Sequence, residues 1–296
     1  MDIRNIREKA PEVNDYLRAI FELGREQFNG YLNIEKLPTP PFNINTPKNQ
    51  VILKDFTSRV IEELSEGYCD MVNIHNILNS VGYNVFKLTT DEYKCMMNSL
   101  YNINEEQVDA LGFFIPLFLY SNINSSDIYS FCNTQMDIDI NTTDKLLSST
   151  TAILYRDGID EVIERYNCYS IFDIQVFKNF NLDMDYEDES EIVMKYDSIS
   201  ECIPGFTLFN RKKLELNIKL LWYITHKLNI ARNLLKSRPW KQTGVMTREL
   251  EYQEALVMAF LYFLHYLMVN GFTGSKLYKL FFKKQRLNLW RQRTGY

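Results

Sequence analysis

The chain has 296 residues, 46% apolar and 24% charged, with 19 Tyr and 19 Phe, enough to bury a sizeable core as one large or two small domains at roughly 150 residues each. Its 11 Gly and 8 Pro are too few for a turn-rich sandwich, barrel or collagen-like repeat. A net charge of −5 lacks the basic surplus of a general nucleic-acid coat.

Tyr16, Ile20, Leu23 and Phe28 recur at helical spacing within residues 1–35. The segment 37–47, LPTPPFNINTP, holds four prolines and reads as a loop. A long helix is expected from Pro47 to about Val81, with Leu53, Phe56, Val60, Leu64 and Tyr68 as its stripe. After a weaker stretch (82–101), an apolar helix over 104–120 is expected, with Asn104 and Gln107 as a capping box. Residues 121–210 alternate polar and apolar positions and then run acidic at 183–191, read as a solvated loop. Helices are expected again over 214–238 and 248–269, with a turn at 271–274 and a last helix from Ser275. The fold class is therefore mainly α: a helical core over 1–120 and 211–296, carrying 121–210 as an irregular or mixed insertion.

The apolar run Ala255–Val269 is broken by His265 and falls short of the ~20 residues needed to span a bilayer. No signal-peptide pattern opens the sequence. Cys69, Cys95, Cys132, Cys168 and Cys202 form no CxxC and read as buried thiols in a reducing compartment. A soluble, cytoplasmic protein is expected, with no membrane partner. GFTGSK (271–276) lacks phosphate-loop spacing and follows a helix. His75, His226 and His265 are scattered and read as core histidines.

Three constellations remain. EELSE (62–66) puts Glu62, Glu63 and Glu66 at helical spacing, so carboxylates share a face where a cation would relieve their repulsion. Glu106 and Asp109 lie three apart and run straight into an apolar segment, a costly place for an acidic pair that is neither ion-paired nor metal-bound. Together the two pairs offer four carboxylates across a bundle, Glu63, Glu66, Glu106 and Asp109. At the C-terminal end, Lys284, Asn288 and Arg291 fall on one stripe suited to polyphosphate oxygens.

These pieces resemble the all-α nucleoside triphosphate pyrophosphatases, the superfamily of MazG-like enzymes and dimeric dUTPases and dCTPases, including phage members. The resemblance rests on EExxE at 62–66, ExxD at 106–109, the ending K-x3-N-x2-RQ-x2-GY at 284–296, and ARNLLKSRPWKQT (231–243), which is similar to the SxPWK segment of the dimeric dUTPases. An alternative register would take Glu251 and Glu254 as the second acidic pair, with Ala259 and Tyr262 where carboxylates should precede LHY (264–266). The resemblance implies Mg²⁺-dependent hydrolysis of a pyrimidine deoxynucleoside triphosphate to the monophosphate and pyrophosphate, and a homodimer. It implies Glu63, Glu66, Glu106 and Asp109 as metal ligands and Glu62, Glu63 or Glu66 in catalysis. Lys284, Asn288 and Arg291 would bind phosphates, with Tyr296 covering the nucleotide. For a phage-encoded chain the compartment would be the host cytoplasm. A catalytically silent nucleotide-binding or host-protein-binding regulator on the same fold is the alternative.

Overall fold

A computed structural model describes residues 16–82, 87–136, 211–235, 248–270 and 272–294. Among them are seven helices and no strand: Tyr16–Glu35 (α1), Pro47–Ser80 (α2), Thr90–Tyr120 (α3), Ser125–Met136 (α4), Arg211–Leu234 (α5), Glu249–Val269 (α6) and Gly274–Thr294 (α7). The mainly-α expectation holds. The acidic run 183–191, the SxPWK residues, Tyr296 and most of the proposed insertion lie outside the described residues.

α2 starts at a Pro at N1, where the missing N–H costs no helical bond. Its buried stripe is Leu53, Phe56, Val60 and Leu64, continued by Gly67 and Met71 in place of the expected Tyr68. α3 begins at Thr90, fourteen residues before the expected start (104 − 90). Its N-terminus is a Thr89–Glu92 capping box: the Thr89 N–H donates to the Glu92 carboxylate at 2.9 Å, and the Glu92 N–H donates to Thr89 Oγ1 at 3.3 Å. Asn104 is mid-helix, its amide donating to the Leu100 carbonyl at 3.0 Å. The supposed insertion also opens with ordered structure. α4 is capped by Asn124, whose Oδ1 accepts from the Ser126 and Asp127 amides, and it places Ile128 in the common core.

α2 and α3 form an antiparallel hairpin, with Asn73 donating to Ser99 at 3.0 Å near one end and Phe56 against Phe113 at 6.3 Å near the other. α5 and α6 form a second, tied by reciprocal amide bonds between Asn217 and Asn270 at 3.1 and 3.2 Å and by Tyr223 stacked on Tyr262. α6 crosses the first hairpin antiparallel to α3, with Phe260 edge-on to Phe114 and Phe118 and Tyr252 accepting from Ser121. It is the one helix among the described residues long and apolar enough to cross a membrane, and 83% of its apolar window is buried against the other helices. α1 and α7 run parallel: Tyr16 meets Tyr278 at 5.8 Å, and a Cβ at Gly30 would lie 2.8 Å from Gln292 Oε1. Gly24 brings α1 onto α3, since a Cβ there would fall 2.5 Å from Ile115 Cδ1.

Two composition-based expectations need correction. Cys69 and Cys95 are exposed, Cys95 at the edge of the α2–α3 seam, where its sulfur accepts from the Asn73 amide at 3.8 Å. His265 is fully buried and pushed down to about 3 by burial, so it stays neutral as a core residue. His226 instead lies on the exposed face of α5, stacked on Trp222 at 4.9 Å.

Lys276, in the first turn of α7, carries its ammonium into the bundle over the Phe272 ring (4.5 Å), with Asn104 Oδ1 at 3.5 Å. Burial pushes its pKa down to about 8. The unfolded chain therefore holds this proton more tightly between pH 8 and about 10.4, so the cost of burying the charge is full below pH 8 and fades above it. Lys276→Met is expected to stabilise the protein by about 1–3 kcal/mol at pH 7, with the gain shrinking by pH 10. Paired thermal melts at the two pH values check this; a destabilised variant at pH 7 would contradict it.

Candidate metal centre

Gly67 and Glu106 face each other where α2 meets α3, a Cβ at position 67 standing 3.4 Å from that of Glu106. Without a side chain there, the two helices approach closely beside the carboxylates they carry. One ligand oxygen each from Glu63, Glu106 and Asp109 lies within 4.8 Å of the other two. Oxygens around an octahedral Mg²⁺ at about 2.1 Å stand about 3–4 Å apart, so side-chain adjustments of about an ångström would close the set. Three half-buried carboxylates with no nitrogen or sulfur donor fit a hard divalent cation.

The electrostatics record the strain of crowding these acids. Burial, then a hydrogen bond to Glu106, then the charges of Asp109, Glu106 and Glu66 push Glu63 up to about 8. Glu106 is also raised, chiefly by burial, although the bond it accepts from the Glu63 carboxyl works against the shift. Burial raises Asp109 as well, outweighing the hydrogen bond from Lys284. The hydrogen bond from the Glu63 carboxyl to Glu106 relieves part of this crowding.

α7 supplies the positive side. The Lys284 ammonium donates to Glu105 at 2.5 Å and to Asp109 at 2.7 Å. Burial would lower its pKa, but the bonds to Asp109 and Glu105 outweigh that and hold it raised. Arg291 is exposed yet near enough for its charge to favour ionised Asp109. Asn288 is half-buried one turn beyond Lys284.

The four-carboxylate set is thereby reduced to three. Glu66 is an exposed rim residue whose charge reaches Glu63 and Glu106 without joining the cluster. Glu62 is exposed, about 100° around the helix from Glu63, and its charge acts on Arg59. The alternative register fails as a carboxylate site: Glu251 is paired with Arg248 at 3.1 Å, Glu254 is exposed, and Ala259 and Tyr262 are core. Sequence reasoning missed Glu105. Its one signal was adjacency to Glu106, repeating the doubled Glu of 62–63.

Comparison with protein-family models, with curated proteins and with solved structures finds no significant match to this chain.

Proposed function

We propose that the chain is a Mg²⁺-dependent nucleoside triphosphate pyrophosphatase of the all-α type, acting on a pyrimidine deoxynucleoside triphosphate. The observation that carries this reading is the oxygen-only trio of α2 and α3 with Lys284 and Arg291 of α7 at its edge. Such a juxtaposition suits a polyphosphate bound through a divalent cation on one side and through side-chain cations on the other.

Glu63, Glu106 and Asp109 would hold the cation, with Glu63 giving up its proton on binding. The bound ion would supply Lewis-acid stabilisation of phosphate oxygens. Glu66, at the rim, would accept a proton from the attacking water. The water oxygen bonds to the α-phosphorus as the α–β bridging bond breaks, giving the monophosphate and pyrophosphate. Lys284 and Arg291 offset the charge gathering on the departing pyrophosphate. Asn288, from the same stripe, belongs to this phosphate-binding role. A homodimer and a cytoplasmic setting go with the same reading.

The test is pyrophosphate release across the deoxynucleoside triphosphates, with and without Mg²⁺. Release that requires the cation and favours one pyrimidine supports the proposal. Nucleotide binding without any turnover would transfer it to the silent regulator. Within the same assay, Arg291→Ala should lower kcat/KM by about 10–150-fold, the equivalent of a charge-assisted hydrogen bond. Triphosphate affinity should fall more than monophosphate affinity. Equal losses for the two would remove the phosphate role.

A further inference from the structure

Asp109 has two claimants. It is one of the three carboxylates that can close on a divalent cation, and it also accepts a hydrogen bond from Lys284 at 2.7 Å. A cation bound at the trio and an ammonium on the same carboxylate repel each other, so metal binding weakens the Lys284–Asp109 contact and favours the ammonium's other anchor. Glu105 is that anchor. It lies four residues before Asp109, on the same face of α3, while Glu106 is turned toward α2. Its carboxylate already holds the ammonium at 2.5 Å, and it is not one of the trio. Lys284 therefore stands astride an inner carboxylate that a metal can claim and an outer one that it cannot.

We infer that Glu105 is a positioning residue: it draws the Lys284 ammonium off Asp109 when a divalent cation binds and keeps it beside the centre, facing the polyphosphate. This rests on the proposed metal-dependent function and adds a residue to it. Two consequences have opposite signs. Loss of Glu105 leaves Asp109 as the ammonium's only anchor among the described residues, so Lys284 competes harder with the cation. Loss of Lys284 removes the competitor, and Glu105 then bears on metal affinity only through its charge, which is felt at Glu106 and Asp109.

The experiment is Mn²⁺ binding to the full chain, followed by electron paramagnetic resonance, for wild type, Glu105→Gln, Lys284→Met and the double variant. Glu105 is partly exposed, and its Gln variant keeps the shape, so folding is checked by a melt alone. Glu105→Gln is expected to weaken Mn²⁺ by about 3–10-fold and Lys284→Met to tighten it by a similar factor. In the Lys284→Met background, Glu105→Gln should weaken Mn²⁺ clearly less than it does in the wild type, by the part due to its charge alone, about 2-fold. An equal weakening in both backgrounds would make Glu105 a mere contributor of negative charge and overturn the inference, leaving the metal centre intact. No Mn²⁺ binding by the wild type would remove both.

Discussion

Glu63→Gln is expected to abolish Mg²⁺-dependent turnover, by at least about 10³-fold, while making the metal-free protein more stable at neutral and alkaline pH. The first effect follows from losing a ligand on which a bound cation would depend. The second follows from the sign of the pKa shift. Burial and the neighbouring carboxylates hold Glu63 near 8 in the folded chain, against roughly 4.3 when unfolded. Between those values the folded state binds more protons than the unfolded state, so the metal-free protein loses stability as pH rises through that window. The pair is half-exposed to solvent screening, which brings the loss to about 1–3 kcal/mol. Gln keeps the hydrogen bond to Glu106 and removes the titration. The measurement is a set of melts at pH 6 and pH 8, with and without Mg²⁺. Wild type should gain more from Mg²⁺ at pH 8, where less proton must be displaced, and the variant should gain nothing at either pH. A variant that still responds to Mg²⁺ would remove Glu63 from the ligand set.

The largest loss of stability is expected from Phe118→Ala. Phe118 is fully buried and touches Phe21 of α1, Phe114 one turn earlier and Phe260 of α6, at centroid distances of 5.7, 6.0 and 5.0 Å. It joins three helices that are not sequence neighbours, so the vacated space cannot be refilled by one side chain turning inward. A cost of about 3–5 kcal/mol is expected, a large share of the total stability of an ordinary domain. Denaturant unfolding checks it, with Phe118→Leu as a milder comparison. Activity should follow the folded fraction, with kcat per folded molecule unchanged. A loss below about 1 kcal/mol would mean that the aromatic cluster is not closed.

What could be read in the sequence was what is local. The stripe of α2 was visible because Leu53, Phe56, Val60 and Leu64 repeat at helical intervals and all are buried. The first half of α3 was not, because Met96, Ser99 and Ile103 make a thin and partly polar buried line. Its start was nonetheless written as Thr89-x-x-Glu92, a capping box outweighed by the apolar run farther on. At the carboxylate trio, spacing supplied the acids but could not separate Glu63 from Glu66, since both lie within one turn and only the approach of α3 selects between them. The bridge from Lys284 to Glu105 joins positions 179 residues apart, and no pattern in one chain announces such a pair.

The parallel pairing of α7 with α1 has a kinetic consequence. Nearly the whole chain lies between Tyr16 and Tyr278 and between Gly30 and Gln292, so this seam carries high contact order and closes only after a long loop has been drawn in. The α2–α3 hairpin needs no such closure. In refolding, the three carboxylates should therefore assemble ahead of the helix bearing Lys284 and Arg291, and on the proposed function affinity for a divalent cation should appear in an earlier phase than affinity for a nucleotide.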